Sequence, residues 1–560
     1  MKFRPLSAGI LAAAVLLLAA CDIRNVPAGA GTGMVITADS MASAVGLAVL
    51  DRGGNAVDAA VAAGFALAVV YPGAGNIGGG GFMVLRMPDG SSHSVDFREM
   101  APRRSTADMY AGNPDASVDG CLAAAVPGTV AGLLAALEKY GTMDRAELLR
   151  PSIELAGMGF RVNANLAGAL AGYREELDRF PSTKRIFFRD GVPLVEGDLL
   201  LQPDLGRTIR RIADSGTAGF YSGRTAALIT AHMNSSGGYI GDADLEAYRA
   251  VFRPVLKGSY RGYEIDAMGP PSSGGICLLQ ALALLEPYDL RSLGFHTAPP
   301  VHLIAEAMKR SFSMRAAYLG DPDFVDVPVG DLLRDGRLAA HELAIDTARA
   351  VPAELLAGFP GTPREGTQTT HYSVIDRRGM AVAVTYTIND IFGNKDVVEG
   401  AGFFLNDEMD DFVTVPGQAN MYGLVGGREN MIAPGKRPLS SMSPTIVSKD
   451  GRPVLIIGAR GGSMIITSVL QAVINIVDYG LPPLEAVRAP RFHHQWKPDT
   501  LWFETGAFGP EVRAELVRRG HSLREIAWKI GGIEAIYIDP ETGTFHGVPD
   551  YREGGVAAGR

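Results

Sequence analysis

Hydrophobic residues change their period several times along the chain, and each change marks an element. An apolar run from Ala8 to Ala20 follows Lys2 and Arg4. It is too short to cross a bilayer as a helix and suits the hydrophobic segment of an export signal. Ser40 to Leu50 has helical composition and stops at Gly53-Gly54, after which Asn55 caps an Ala-rich helix to about Val70. A glycine-rich stretch from Tyr71 leads into a strand over Phe82 to Leu85, and Val95 to Pro102 follows a strand. Val126-Pro-Gly-Thr-Val130 opens another helix, and helices alternate with short loops to about Leu293. Ala350 to Gly366, rich in proline and glycine, reads as an exposed linker. A helix is expected over Ser463 to Tyr479. Ile533 to Ile538, a turn at Asp539 to Gly543, and Phe545 to Val548 form a closing hairpin.

The clearest period-two segment begins just past the linker. Thr369 to Ile375 alternates β-branched and aromatic residues, and Met380 to Ile388 is a second strand-like run. Arg377, Arg378 and a left-handed Gly379 make a three-residue hairpin loop between them. That register sets Asp376 opposite Met380 and Thr369 opposite Thr387, with Asn389 on the same face as Thr387. Small polar side chains therefore converge at the open end of the hairpin. Spacing alone reads as a Thr-rich, solvated sheet edge, with a reactive site as the alternative.

Composition narrows the classes. The 560 residues are 47% hydrophobic and 20% charged, an ordinary globular balance with a sizeable core. A net charge of −9 without a long basic run gives no support for a nucleic-acid partner. Besides Cys21, the cysteines are Cys121 and Cys277, so no disulfide framework is implied. Gly73, Gly75 and Gly78 spell a dinucleotide fingerprint, but a strand follows where a helix N-terminus is needed. Ser272 and Ser273 lack a nucleophile elbow and read as a structural turn. The acidic stretch Asp407 to Asp411 has no EF-hand glycine and no paired histidine. His493 and His494 are adjacent on an extended chain and point to opposite faces. No metal or other cofactor is expected.

Several stretches together resemble one family. Thr369-Thr-His-Tyr-Ser-Val-Ile-Asp376, Val95-Asp-Phe-Arg-Glu-Met-Ala-Pro102 and Met268-Gly-Pro-Pro-Ser-Ser-Gly-Gly275 carry part of the likeness. Tyr318 to Phe324, the pattern N-x-x-M-D-D-F from Asn406, Lys436 to Thr445, and Ile457 to Ser463 complete it. They are similar to segments of the γ-glutamyltransferase (glutathione hydrolase) family of N-terminal nucleophile hydrolases, from about Met34 to the C-terminus.

The resemblance implies a precursor that cuts itself between Gln368 and Thr369. The large fragment, 22–368, and the small fragment, 369–560, would stay together as a heterodimer forming one intertwined domain. Thr369 is then the nucleophile and Thr387 orients its hydroxyl, a role the hairpin register also suggests. Gly461 and Gly462 offer backbone N–H groups to an oxyanion. Arg98, with Ser440 and Ser441, takes the substrate α-carboxylate, while Asp411, helped by Glu408 and Asn389, takes the α-ammonium. Tyr422 lies in a lid loop, Pro416 to Gly427. Ala459 and Arg460 depart from the Ser-Pro common before the two glycines. Leu18-Ala19-Ala20-Cys21 resembles a lipobox. It implies a signal peptide over 1–21, lipidation of Cys21, and an exported, periplasmic, membrane-anchored protein; a plain secretory signal is the alternative.

The chemistry suits these residue types. An N-terminal threonine carries its own base, because an α-amine titrates near pH 7.7–8.0. A guanidinium holds a carboxylate through two parallel hydrogen bonds. The fold expected from the resemblance is α+β, a four-layer α-β-β-α sandwich. The expected activity is hydrolysis of glutathione and other γ-glutamyl compounds, with transfer to amino-acid or peptide acceptors. The rivals are a glutaryl (cephalosporin-type) acylase, whose substrate lacks the α-ammonium, and an uncleaved, inactive binding scaffold.

Overall fold

The computed structural model describes residues 33–333, 344–356, 369–414, 419–552 and 554–560. The leader with Cys21, and Gln368, lie outside the described residues. Thirteen strands build two antiparallel sheets. In chain order they are β1 (Gly33–Thr37), β2 (Gly80–Arg86), β3 (Ser92–Phe97), β4 (Val251–Arg253), β5 (Leu256–Tyr260), β6 (Tyr263–Ala267) and β7 (Thr370–Asp376). Then follow β8 (Ala381–Thr387), β9 (Thr445–Lys449), β10 (Arg452–Arg460), β11 (Gly532–Ile538), β12 (Phe545–Pro549) and β13 (Val556–Gly559). One sheet runs β13-β1-β7-β8-β2-β3-β4 and the other β12-β11-β10-β9-β6-β5. Both sheets mix strands from before and after residue 369. The β7–β8 hairpin sits mid-sheet, between β1 and β2.

Alternation along that hairpin sorts the layers. Tyr372, Val374, Val382, Val384 and Tyr386 join an apolar core with the helices α1 (Ser40–Asp51), α2 (Ala56–Val70) and α3 (Thr129–Tyr140). Ile375, Ala381 and Ala383 face the other way, into a core shared with β10, β11 and the helices α4 (Gly274–Leu285), α5 (Ala298–Tyr318) and α6 (Met464–Val477). Helix, sheet, sheet, helix is the four-layer α+β sandwich expected. No helix among the described residues is long and apolar enough to cross a membrane.

The hairpin register is as the sequence predicts. Thr370 pairs with Tyr386 and Ile375 with Ala381, which extends to Thr369 opposite Thr387. Gly379 has φ +86°, as a left-handed loop end requires. Asp376 closes the turn, accepting from Arg378 and Met380 N–H, and its second oxygen accepts from Ala56 N–H at the start of α2.

Three expectations are corrected. The stretch before Leu293 is not only helices and loops, since β4, β5 and β6 lie in it and two of them form the edge of the second sheet. Their faces are half exposed, so polar and charged letters (Lys257, Ser259, Glu264) dilute the strand signal. Val95 to Phe97 lies inside β3 rather than after it. The segment Ala350 to Leu356 is not a free linker: Lys309 Nζ donates to the Val351 carbonyl and Trp496 Nε1 to the Ala353 carbonyl.

Asp39 caps α1 by accepting from Met41 N–H. Burial pushes its pKa up from 3.8 to about 6. Folding therefore favours the protonated acid. The stability this lends is full below the unfolded value and is lost as pH rises through 6. Asp39→Asn keeps a capping acceptor and removes the charge. It is expected to raise the urea midpoint at pH 8 by a free energy on the order of 3 kcal/mol and to change little at pH 4.

Candidate active site

The open end of the β7–β8 hairpin meets the turn after β10 and the loops before β9. A small void there is lined by Thr369, Thr387, Asn389, Glu408, Asp411, Tyr422, Leu424, Ser440, Ser441, Met442, Gly462 and Ile465. Nine of these twelve, scattered over about a hundred positions, are residues that the sequence singles out, and they share one cavity. Gly461 is not among the lining residues but precedes Gly462 in the same turn. The apolar members Leu424, Met442 and Ile465 carry no signal in the sequence beyond being hydrophobic.

Thr387 is fixed by the turn that follows it. Its Oγ1 accepts from Asn389 N–H at 2.8 Å, which leaves the hydroxyl proton to donate. Asn389 holds a left-handed backbone, φ +75°, which asparagine tolerates better than most residues. Its side-chain amide donates to the Asp407 carbonyl at 3.1 Å, and its own carbonyl accepts from Tyr422 Oη at 2.9 Å. Tyr422 is fully neutral, because burial raises its pKa well above the ordinary value. Its ring lies on Gly462, where an added Cβ would come within 2.4 Å of it. Glycine at 462 is therefore needed for this approach as well as for φ +55°.

His371, two residues on from Thr369, is not a base. Its Nδ1 pairs with Thr385 Oγ1 at 2.8 Å and its Nε2 with Ser373 Oγ at 3.0 Å, and burial depresses its pKa to about 3. His493 and His494 have separate partners, Thr467 and Gln495 for the first and Asp499 for the second. They share no ligand point, as their adjacency predicts.

The serine pair is held from behind. Ser273 donates from both N–H (2.8 Å) and Oγ (2.6 Å) to the Ser440 carbonyl, and Ser440 N–H donates to the Pro271 carbonyl. Ser272 and Ser273 are thus structural props for the site. Ser440 Oγ accepts from Met442 N–H, and Ser441 Oγ is buried with no partner.

Charge is concentrated beside the cavity. Arg98 is fully buried and ion-paired with Glu408, Asp411 and, at 3.2 Å, Glu99. Its Nε donates to the Pro438 carbonyl at 3.1 Å. Burial works against its charge, yet the three carboxylates hold its pKa above the ordinary value. Burial raises the carboxylates in turn: Glu408 well above its usual range, Asp411 upward, and Glu99 to about 7. One oxygen of Glu408, Oε2, has no partner. Asp411 is steadied by Asn420 Nδ2 at 3.0 Å. The sequence reading set the carboxylates across a gap from Arg98; here they contact it directly, and Arg98 does not line the void. A buried guanidinium needs its counter-charges in contact, and Glu99, which the sequence reading passed over, is one of them.

The void itself is about 20 Å³, room for a water molecule and no more. An open cleft of about 660 Å³ adjoins it through Asp411 and Leu424, lined also by Arg315, Asp410 and Asn420. At the end of β10, Arg460 reaches Tyr71 Oη at 3.4 Å and the Arg552 carbonyl at 3.2 Å. The departure from Ser-Pro thus anchors the glycine turn to the C-terminal segment.

Chemically, the arrangement offers a threonine hydroxyl with a neighbouring threonine, backbone N–H groups at two glycines, and a buried set of cation, carboxylates and hydroxyls. It suits attack on an acyl group carried by a small zwitterion.

Comparison with known proteins agrees in extent and kind. A family described as Gamma-glutamyltranspeptidase matches residues 42–560. The glutathione hydrolase proenzyme of Escherichia coli K12 is 47% identical over 532 residues, covering 94% of this chain and 91% of its own. A cephalosporin acylase from Bacillus halodurans superposes with a TM-score of 0.83 at 26% identity, covering 100% of this chain and 99% of that one. A Helicobacter pylori gamma-glutamyltranspeptidase chain gives a TM-score of 0.54 at 45% identity, covering 55% of this chain and 90% of that one.

Proposed function

The chain belongs to the gamma-glutamyltranspeptidase family and is an enzyme of the N-terminal nucleophile hydrolase class, and on that footing we propose that it hydrolyses glutathione and related γ-glutamyl compounds and passes the γ-glutamyl group to amino-acid or peptide acceptors. The observation that carries this is the shared cavity, in which Thr369 and Thr387 meet the groups that fit the α-carbon end of a glutamate.

Maturation comes first. In the precursor the Thr369 hydroxyl attacks the Gln368 carbonyl, and the ester so formed hydrolyses to give fragments 22–368 and 369–560. The E. coli relative is named a proenzyme, and the H. pylori chain corresponds to little more than half of this one, which supports two fragments here. The new α-amine of Thr369 then takes the Oγ1 proton as the oxygen attacks the γ-carbonyl. Gly461 and Gly462 N–H groups receive the oxyanion, and Thr387 donates to the nucleophile; as the intermediate collapses the γ-amide C–N bond breaks, the Thr369 α-ammonium returns its proton to the leaving amine, and the amine departs. Water or an amine acceptor releases the γ-glutamyl group from its ester.

Substrate entry is an exchange of ion pairs. The α-carboxylate takes up Arg98 with the Ser440 and Ser441 hydroxyls, and the α-ammonium takes up the Asp411 and Glu408 carboxylates with Asn389. Charge balance is kept throughout, and the unpartnered Ser441 Oγ and Glu408 Oε2 gain partners. The glutaryl acylase reading has support from the whole-chain likeness to the cephalosporin acylase. The two acids beside the cavity favour the substrate with an ammonium. Relative kcat/KM on γ-glutamyl and glutaryl anilides decides between them, with the γ-glutamyl substrate expected to win by at least about tenfold.

Tyr422 is expected to close the pocket through its bond to the Asn389 carbonyl. Tyr422→Phe removes one hydrogen bond, so kcat/KM on a γ-glutamyl anilide is expected to fall about 3- to 10-fold, with fragment formation unchanged. We place the enzyme outside the cytoplasm, in the periplasm, with its lipid anchor at Cys21.

A further inference from the structure

Far from the cavity in function, three buried side chains meet that the reaction does not use. Cys121 lies in a short 3-10 turn, His232 in the helix Gly223–Ser236, and Asp396 in the loop after β8. Their Sγ, ring nitrogen and carboxylate oxygen all lie within 4.8 Å of one another. The Cys121 Sγ to Asp396 Oδ2 separation is 3.8 Å, and His232 Nε2 to the same oxygen is 3.0 Å.

We propose that Cys121, His232 and Asp396 form a binding site for a borderline-soft divalent cation of the zinc type, joining the two fragments. Thiolate, imidazole and carboxylate are the donor set such an ion prefers, and a water would complete four-coordination. A tetrahedral ion with Zn–S near 2.3 Å and Zn–N or Zn–O near 2.0–2.2 Å puts its ligand atoms about 3.3–3.8 Å apart; the sulfur-to-oxygen separation of 3.8 Å lies at the top of that range and the nitrogen-to-oxygen separation of 3.0 Å just below it.

The histidine supplies an independent indication. His232 Nε2 is buried and makes no hydrogen bond, although Asp396 Oδ2 is only 3.0 Å away. His232 is 8% exposed, so water does not satisfy the nitrogen from outside. Asp396 is already oriented from behind: Ser182 Oγ donates to its other oxygen, Oδ1, at 2.7 Å, as outer partners of metal-binding carboxylates do. Without an ion, burial and the Asp396 charge push the Cys121 thiol up to about 12. A cation releases that proton to solvent and forms the S–metal bond in its place.

Cys121 and His232 precede residue 369 and Asp396 follows it. The ion would therefore tie the two fragments together at a point away from the sheets. The site does not depend on the proposed reaction, because uncut chain contains all three ligands.

The test uses the full mature protein and zinc alone. Wild type, Thr369→Ala, His232→Ala and Cys121→Ser are dialysed against zinc, washed, and assayed for bound metal by elemental analysis. Wild type and the uncut Thr369→Ala are expected to hold stoichiometric zinc, with affinity down more than about tenfold in the other two. Cobalt(II) loaded into wild type is expected to give a thiolate charge-transfer band that His232→Ala weakens and Cys121→Ser abolishes. Chelation is expected to lower the urea midpoint for fragment separation in wild type alone. Wild type that binds no zinc, or a cobalt spectrum unaltered in Cys121→Ser, overturns the proposal. Because wild type is itself measured, misfolding of a variant does not decide the outcome.

Discussion

Thr369→Ala is expected to leave a single uncut chain and to lower γ-glutamyl anilide hydrolysis by about 10⁴- to 10⁶-fold. Two losses compound. The hydroxyl that opens the Gln368–Thr369 bond is gone, so the α-amine that serves as base is never released. The acceptor of the acyl group is gone as well. Since the methyl of alanine fits the space of threonine at the head of β7, the fold should be unaffected, and a far-UV circular dichroism spectrum matching that of the cleaved wild type is anticipated. Supplying 369–560 with alanine at its free N-terminus, co-expressed with 22–368, separates the two losses. That pair should assemble and remain inactive. Substantial hydrolysis by either form would remove Thr369 from the mechanism.

The second large effect is at Arg98. Its guanidinium is the common partner of Glu99, Glu408 and Asp411, all of them buried or nearly so. Arg98→Ala strands three carboxylates without a counter-charge, which costs on the order of 3–5 kcal/mol of stability. The carboxylates respond by binding protons, so their pKa values in the folded state rise further. Stability lent by that protonation is present at low pH and lost as pH rises. The deficit of Arg98→Ala should therefore be largest near pH 8 and shrink toward pH 5. Arg98→Lys keeps a charge but not the planar fork. It is expected to fold, with KM for a γ-glutamyl anilide raised about 10- to 100-fold and kcat less affected. An Arg98→Lys enzyme with wild-type KM would mean that Arg98 neutralises the acids and does nothing for the substrate.

Much of this architecture is legible in the sequence, for physical reasons that differ by element. The β7–β8 hairpin is buried on both faces mid-sheet and closed by a glycine with φ +86°, so its register follows from the chain alone. Helix α2 is marked by the Asn55 capping box and by fifteen buried residues, nearly all small and apolar. The edge strands β5 and β6 were not legible, because a half-exposed strand carries as many lysines and serines as a loop. Thr369, Thr387 and Asn389 were legible from the hairpin register as well, whereas Ser440, Asp411 and Gly462 were legible only as family motifs, because they are far apart in sequence and no periodicity brings them together. What the motifs did not convey was contact. Their roles toward a substrate suggested Arg98 facing two acids across a gap, whereas a buried arginine closes on its acids until something displaces them. Glu99 and Asn420 were missed because each acts through another residue, Glu99 on Arg98 and Asn420 on Asp411. The cluster of Cys121, His232 and Asp396 is invisible in sequence, with its members spaced by more than a hundred residues and no local ligand pattern.

The central claim is that Thr369 becomes a free N-terminal nucleophile, and one measurement reaches it directly. Intact mass spectrometry of the purified wild-type protein, expressed from Asp22 onward, should show two fragments that meet between Gln368 and Thr369. A single chain that stays uncut over days would contradict the account and leave the fold serving as a binding scaffold.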